Sequence, residues 1–212
     1  SSPVSTFNSG NQILLNASGS LQIDNRILTY MDNQWKAENE FSWSDITGKT
    51  NITALYPVYP DLDYIQENLY KNNSLEDILY VKEEFPAGNS IHLQFKHLFS
   101  LLTLYLDRDL QTNLQKIEIT CPAVSSIIPK SAEIVPADNE THTTTIAQVS
   151  PSGNYSFIVP PVKNMVIAIN MVTNGKKYTT QLETKSFTGN KEYTYHLKTS
   201  EKTPGIITAE DW

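Results

Sequence analysis

The sequence predicts an all-β protein of two domains in tandem, built as sandwiches or barrels, and three observations carry that prediction. The first is residues 90–106 (SIHLQFKHLFSLLTLYL). Ile91, Leu93 and Phe95 alternate with His92, Gln94 and Lys96, the mark of a strand with one wet face. After His97 the alternation collapses into Leu98, Phe99, Leu101, Leu102, Leu104 and Leu106, the mark of a strand buried on both faces. The chain is therefore expected to leave one β core and enter another at His97, giving domains 1–96 and 97–212. The second observation is spacing: β-rich runs separated by turn residues recur every ~8–12 residues, as in sandwiches and barrels. The third is Asn174-Gly175, the strongest hairpin signal in the chain.

The elements follow in order. Residues 12–16 and 22–31 read as strands around a Ser18-Gly19-Ser20 turn, followed by 34–37 and 41–43. Residues 51–56 form a strand that Pro57 and Pro60 must end, because proline cannot donate to a central ladder. Residues 61–73 are polar and read as a loop. Residues 74–77 (SLED) carry the pattern of a capped helical turn, and 77–81 continue as a short strand. A Pro-Ala-Gly-Asn turn at 86–89 leads into the long central strand. In the second half, 116–121 alternates with Ile117, Ile119 and Cys121 inward. Strands at 127–135, 141–149 and 155–159 precede the hairpin 165–172 and 177–182. Residues 187–190 introduce a strand at 192–197, and a linker at 202–205 sets off a tail strand within 205–212.

Composition excludes several functions. The 212 residues carry a net charge of −7 and no basic cluster, so nucleic acid is not expected as a partner. The single cysteine, Cys121, permits no internal disulfide and no metal-ligand spacing. It alternates inward, which suits a buried small side chain rather than a reactive thiol. No apolar run approaches the ~18 residues of a membrane helix. Residues 1–6 read as a trimmed leader, so export would depend on a signal peptide that this chain lacks.

No catalytic constellation can be assembled, and no cofactor is expected. His92, His97, His142 and His196 all lie in strand-like sequence. His97 at the crossing could act as a ligand or base. With no His, Cys or Asp cluster around it in sequence, an imidazole bonded to backbone at a kink is favoured. Asp107-Arg108-Asp109 reads as a turn with local ion pairing. Asp61 and Asp63 lie in a solvated loop without the pattern of an EF-hand. Trp35 and Trp43 alternate with polar neighbours, so each is either core or a sugar-stacking platform. Trp212 is a large apolar group that packing or a partner must hold.

Several motifs stand in a telling order: residues 7–13 (FNSGNQI), then Tyr30, Trp35 and Trp43, then 54–57 (ALYP) and 95–106. Later come 158–161 (IVPP), 175–178 (GKKY), 187–197 (FTGNKEYTYHL) and Trp212. Across nearly its whole length the chain resembles fimbrillin-like proteins of Bacteroides-type bacteria. Asn11 and Pro161 depart from that pattern, both at loop positions. The resemblance implies two transthyretin-like β-sandwich domains and a lipoprotein precursor with a lipid anchor. It implies residence on the outer membrane, within a fimbrium, as stalk, anchor or tip, with other fimbrial subunits and a host or bacterial surface receptor or glycan as partners and no enzymatic activity.

Assembly in that family proceeds by strand exchange after an N-terminal strand is removed. The tail residues Ile206, Ile207, Ala209 and Trp212 are then the expected assembly strand, and an ordinary resident strand is the alternative. Residues 12–16 are the expected removable strand, with Arg26 as the processing site. A second reading makes the protein a surface glycan-binding lipoprotein whose platform is Trp35, Trp43 and Tyr56, with Tyr59 and Tyr64 nearby.

Overall fold

The computed structural model describes residues 6–39, 46–88, 90–148, 150–183, 187–198 and 206–212. Most of the expected leader, the 41–43 strand with Trp43, and the 202–205 linker lie outside the described residues. Before the crossing run β1 (Gln12–Gly19), β2 (Ile23–Met31), β3 (Gln34–Ala37), β4 (Thr50–Tyr56), β5 (Tyr70–Lys71), β6 (Ser74–Leu75), β7 (Leu79–Phe85) and β8 (Lys96–His97). After it run β9 (Ser100–Leu106), a single helical turn α1 (Arg108–Gln111), β10 (Leu114–Ile128) and β11 (Glu133–Ile146). The chain continues through β12 (Asn154–Val159), β13 (Val166–Thr173), β14 (Lys176–Glu183), β15 (Lys191–Leu197) and β16 (Ile206–Asp211).

The described strands form a β-sandwich protein with one six-stranded and two four-stranded sheets. The first sheet has the order β3-β2-β1-β4-β7-β8. The second is β11-β10-β13-β14 and the third β12-β9-β15-β16, with a small β5-β6 hairpin beside them. The chain leaves the first sheet at His97 and enters the third at Ser100. The Asn174-Gly175 hairpin forms as expected, joining β13 to β14 with Thr173 opposite Lys176. Both turn residues have positive φ, 50° and 75°, the left-handed conformations that such a turn requires.

The second and third sheets face each other across one core. Leu102, Leu104 and Leu106 of β9 and Tyr193, Tyr195 and Leu197 of β15 meet Ile117, Ile119 and Cys121 of β10 and Ile167, Ile169 and Met171 of β13. The other face is covered at the entry to β9. Leu98, Phe99 and Leu101 pack into a second cluster with Leu55, Tyr59, Ile78, Val124 and Ile127, whereas Tyr105 near the end of β9 is exposed. That double burial is why residues 98–104 show no polar alternation. A third cluster, with Ile13, Leu15, Ile52, Ala54 and Val81, lies on the first sheet.

Four expectations are corrected. Residues 90–95 are not a strand, and only Lys96–His97 pairs with β7. Their alternation still reports burial, since Ile91, Leu93 and Phe95 pack on the first sheet while His92 and Gln94 are exposed. The helical turn expected at 74–77 is instead strand β6, because Ser74 pairs with Lys71 in a tight hairpin. Helix forms where a turn was expected, at 108–111, with Asp107 at its N-terminus and its carbonyl accepting from the Leu110 and Gln111 amides. The three strands expected between 116 and 149 are two long ones. They pass through Pro122 and Pro136, where the β10–β11 register shifts. Proline is tolerated there because Pro122 lies beyond the stretch paired with β13 and faces only the edge strand β11.

Candidate functional site

The most elaborated polar site is the junction where the chain changes sheets. His97 ends β8 opposite Leu79, and the Leu98 amide donates to the Ile78 carbonyl at 2.7 Å. Residues 188–190 dock on this crossing. The Ser100 hydroxyl donates to the Thr188 carbonyl at 2.7 Å. Gly189 is required there, because a Cβ would lie 2.6 Å from the Leu98 carbonyl oxygen. Asn190 takes a φ of 62° and makes three ties from one residue. Its amide donates to Phe99 O at 3.0 Å, its Oδ1 accepts from the His97 amide at 3.0 Å, and its carbonyl accepts from the Trp212 amide at 3.0 Å.

The side chain of His97 does not bond to backbone at a kink, as the sequence suggested. Its Nδ1 lies 2.8 Å from Asp77 Oδ1, and both residues are buried. An ionised carboxylate only accepts, so Nδ1 carries the hydrogen and the ring orientation is fixed. One face of that ring stacks on the indole of Trp212, with centroids 3.7 Å apart and planes 10° apart. Nearby, the Tyr59 hydroxyl is buried without a partner among the described residues. Burial pushes its pKa up, and the carboxylates of Glu76 and Asp77 push it further. Sequence reasoning missed Asp77 and Asn190. The signal was there in Asp77, an acid directly before the apolar Ile78-Leu79 pair, but its partner is 20 residues away.

The assembly candidates lie around this junction. β16 pairs antiparallel with β15, from Lys191 opposite Asp211 to Tyr195 opposite Ile206, and it is the edge of its sheet. Ala209, Glu210 and Asp211 are exposed, whereas Trp212 is half-buried against the cluster at the crossing. Lys191 and Asp211 form an ion pair across the two strands. Ile206 and Ile207 fall in the paired backbone of β16. The segment 12–16 belongs to β1, an interior strand paired with β2 on one side and β4 on the other. Arg26 lies in β2 opposite Leu15, with Nη1 donating to the Asn39 carbonyl at 2.9 Å.

The aromatic candidates pack together. Phe7 sits between Trp35 and Tyr56 edge-on, at 4.9 Å and 78° and at 5.2 Å and 82°. Trp35 also meets Tyr30 at 4.9 Å. Tyr59 is buried and Tyr64 is 40% exposed. Cys121 is buried as expected, and burial pushes its thiol up to about 12, so it is protonated and inert near neutral pH. Of the other histidines, His142 Nε2 lies 2.8 Å from the Asn73 carbonyl and His196 pairs with Asp107. Among the described residues no group of three or more His, Cys, Asp or Glu side chains could hold a metal ion. A cleft of about 530 Å³ lies along β1, β4 and β7, lined by Asn16, Ile23, Ile52, Thr53, Lys82 and Lys130 among others.

Residues 4–212 match the family model described as fimbrillin-like. No curated protein sequence matches the chain. Among solved structures, a candidate cell adhesion protein of Bacteroides ovatus superposes with a TM-score of 0.67 at 15% identity, covering 97% of this chain and 88% of its own. A second such protein, from Bacteroides uniformis, gives a TM-score of 0.67 at 13% identity, with 97% and 93% covered. The tip fimbrial protein Mfa3 of Porphyromonas gingivalis, truncated at its C-terminus, gives 0.57 at 10% identity, with 97% and 95% covered. At these identities the likeness is one of fold.

Proposed function

The chain belongs to the fimbrillin-like family, and we propose that it serves as a non-enzymatic subunit of a cell-surface fimbrium or adhesive structure. Its neighbours would be other fimbrial subunits, joined to it by β-strand complementation. The cell-adhesion and fimbrial descriptions of its structural relatives support surface residence. Outer-membrane anchoring would then come from a lipidated precursor. The two-domain division at 96/97 is part of this reading, as is a removable N-terminal segment.

The observation that carries the proposal is β16. It is an edge strand that holds its sheet through one ladder only, the one with β15. Such a strand can be exchanged at the cost of one ladder. An added strand regains the same ladder hydrogen bonds, and its alternate side chains fill the same positions. Removal of residues 12–16 is a larger event, because β1 would part β2 from β4. Glycan binding through Trp35 and Tyr56 draws no support from the ring packing, since both are wedged against Phe7.

The test is a blot of sheared surface material from cells carrying either the full chain or one truncated before Pro204, heated stepwise in detergent. A ladder that collapses only on strong heating, and is lost on truncation, is expected. A single monomer band from both chains would overturn the strand-linked reading.

A further inference from the structure

β16 is held by more than its ladder. Of residues 209–212, three are exposed and only Trp212 is withdrawn from solvent. The β15–β16 register is continuous from Lys191 to Thr194 and shifts between Thr194 and Tyr195, toward Ile206. Two further ties hold the Trp212 end. There the backbone amide of Trp212 is tied to Asn190, and its indole lies flat on the His97 ring.

The seat beneath that indole is built in advance. Asp77 is 4% exposed and His97 is 9% exposed. A buried carboxylate and imidazole are costly to desolvate and tolerable only when they satisfy each other. Their 2.8 Å contact fixes the imidazole plane. Asn190 fixes the His97 backbone through its side chain and the Trp212 backbone through its carbonyl. One residue thus sets the spacing between the two stacked rings. Gly189 allows the close approach that puts Asn190 there.

We propose that Trp212 is a latch, seated on the Asp77–His97 pair and tied through Asn190, that holds β16 on its own subunit and must be released before β16 can pass to a neighbour. The exchange half of this statement rests on the strand-complementation reading above, whereas the latch itself does not. The latch is an autoinhibitory contact: while the indole is seated, the β15 edge stays filled and β16 stays unavailable. A neighbouring subunit that offers a better seat for the indole would shift the balance by its differential affinity for the released state.

Hydrogen exchange on the full-length monomer, read by mass spectrometry over the 206–212 peptide, tests the latch directly. Trp212→Ala is expected to speed exchange there by about tenfold or more, while β9 stays unchanged. Trp212→Phe, which keeps a ring on the imidazole, is expected to keep most of the protection. Asp77→Ala, which removes the acceptor that orients the His97 ring, is expected to fall between the two. Equal exchange in Trp212→Ala and the unaltered chain would overturn the latch. The heat-stable ladder of surface material, scored on the same variants, judges the other half. A freed 206–212 segment with no ladder from any variant leaves the latch standing and removes strand exchange.

Discussion

The two halves of this molecule close their cores in different ways. After the crossing, two sheets face each other, and Leu102, Leu104, Ile117, Phe157, Ile167, Ile169 and Leu182 are all at most 2% exposed. Before it, one buried cluster comes from a single sheet: Ile13, Leu15, Ile52, Ala54 and Val81. Among the described residues its cover includes the partly buried Ile91, Leu93 and Phe95, and residues 91–95 carry no ladder. A sandwich needs two apolar faces, but only one of them has to be a hydrogen-bonded sheet. The first half pairs a regular face with an irregular one, and the second pairs two regular faces. The difference predicts where the protein is least tolerant of change.

The largest effect belongs to the regular core. Phe157→Ala removes a ring that is 2% exposed between facing sheets that cannot collapse onto the gap, and should cost about 3–5 kcal/mol. Denaturant melts of the purified chain measure it. Next comes Gly189→Ala. Its added methyl meets backbone at 2.6 Å rather than a side chain that could swing aside, so the 188–190 segment must shift. A loss of about 1–3 kcal/mol is expected, with faster exchange of the 206–212 amides because Asn190 moves with it. Leu93→Ala, in the irregular cover, should cost only about 1–2 kcal/mol. If Leu93→Ala proved as costly as Phe157→Ala, the contrast between the two halves would fail.

Much of this was legible in the sequence, and the limits are physical. Alternation gave the inward faces of β10 through Ile117, Ile119 and Cys121, and the loss of alternation placed the change of sheets at His97. Residues 91–95 show what alternation cannot give. Side-chain period reports which face is buried, not whether the backbone finds a ladder partner. The asparagine content reads in sequence only as a turn-rich surface. In the structure Asn25, Asn33, Asn113, Asn164, Asn174 and Asn190 all take positive φ, where asparagine substitutes for glycine. His97 and Trp212 were each singled out in the sequence, but their meeting with Asp77 in one seat was not legible. It joins residues 20 and 115 apart, and none of the three has a neighbour in sequence that signals the others.

The smallest expected effect separates the two ties on β16. Lys191 and Asp211 pair on the surface, while the Trp212 seat is half-buried. The hydrogen bond and charge of Lys191 hold the Asp211 carboxyl below its ordinary 3.8, and those of Asp211 hold the Lys191 ammonium above its ordinary 10.5. The signs fix the window. The lowered Asp211 contributes fully above 3.8 and loses its contribution as pH falls through the lowered value. The raised Lys191 contributes fully below 10.5 and loses its contribution as pH rises through the raised value. Between those limits the pair adds little, because exposed ion pairs are screened by water and salt. Lys191→Met should therefore return the Asp211 carboxyl titration, followed by carbon NMR, to near 3.8. It should change exchange of the 206–212 amides far less than Trp212→Ala does at the same pH. If Lys191→Met freed those amides as fully as Trp212→Ala, β16 would be held by its surface charges, and the attachment argued from the stacked ring would be wrong.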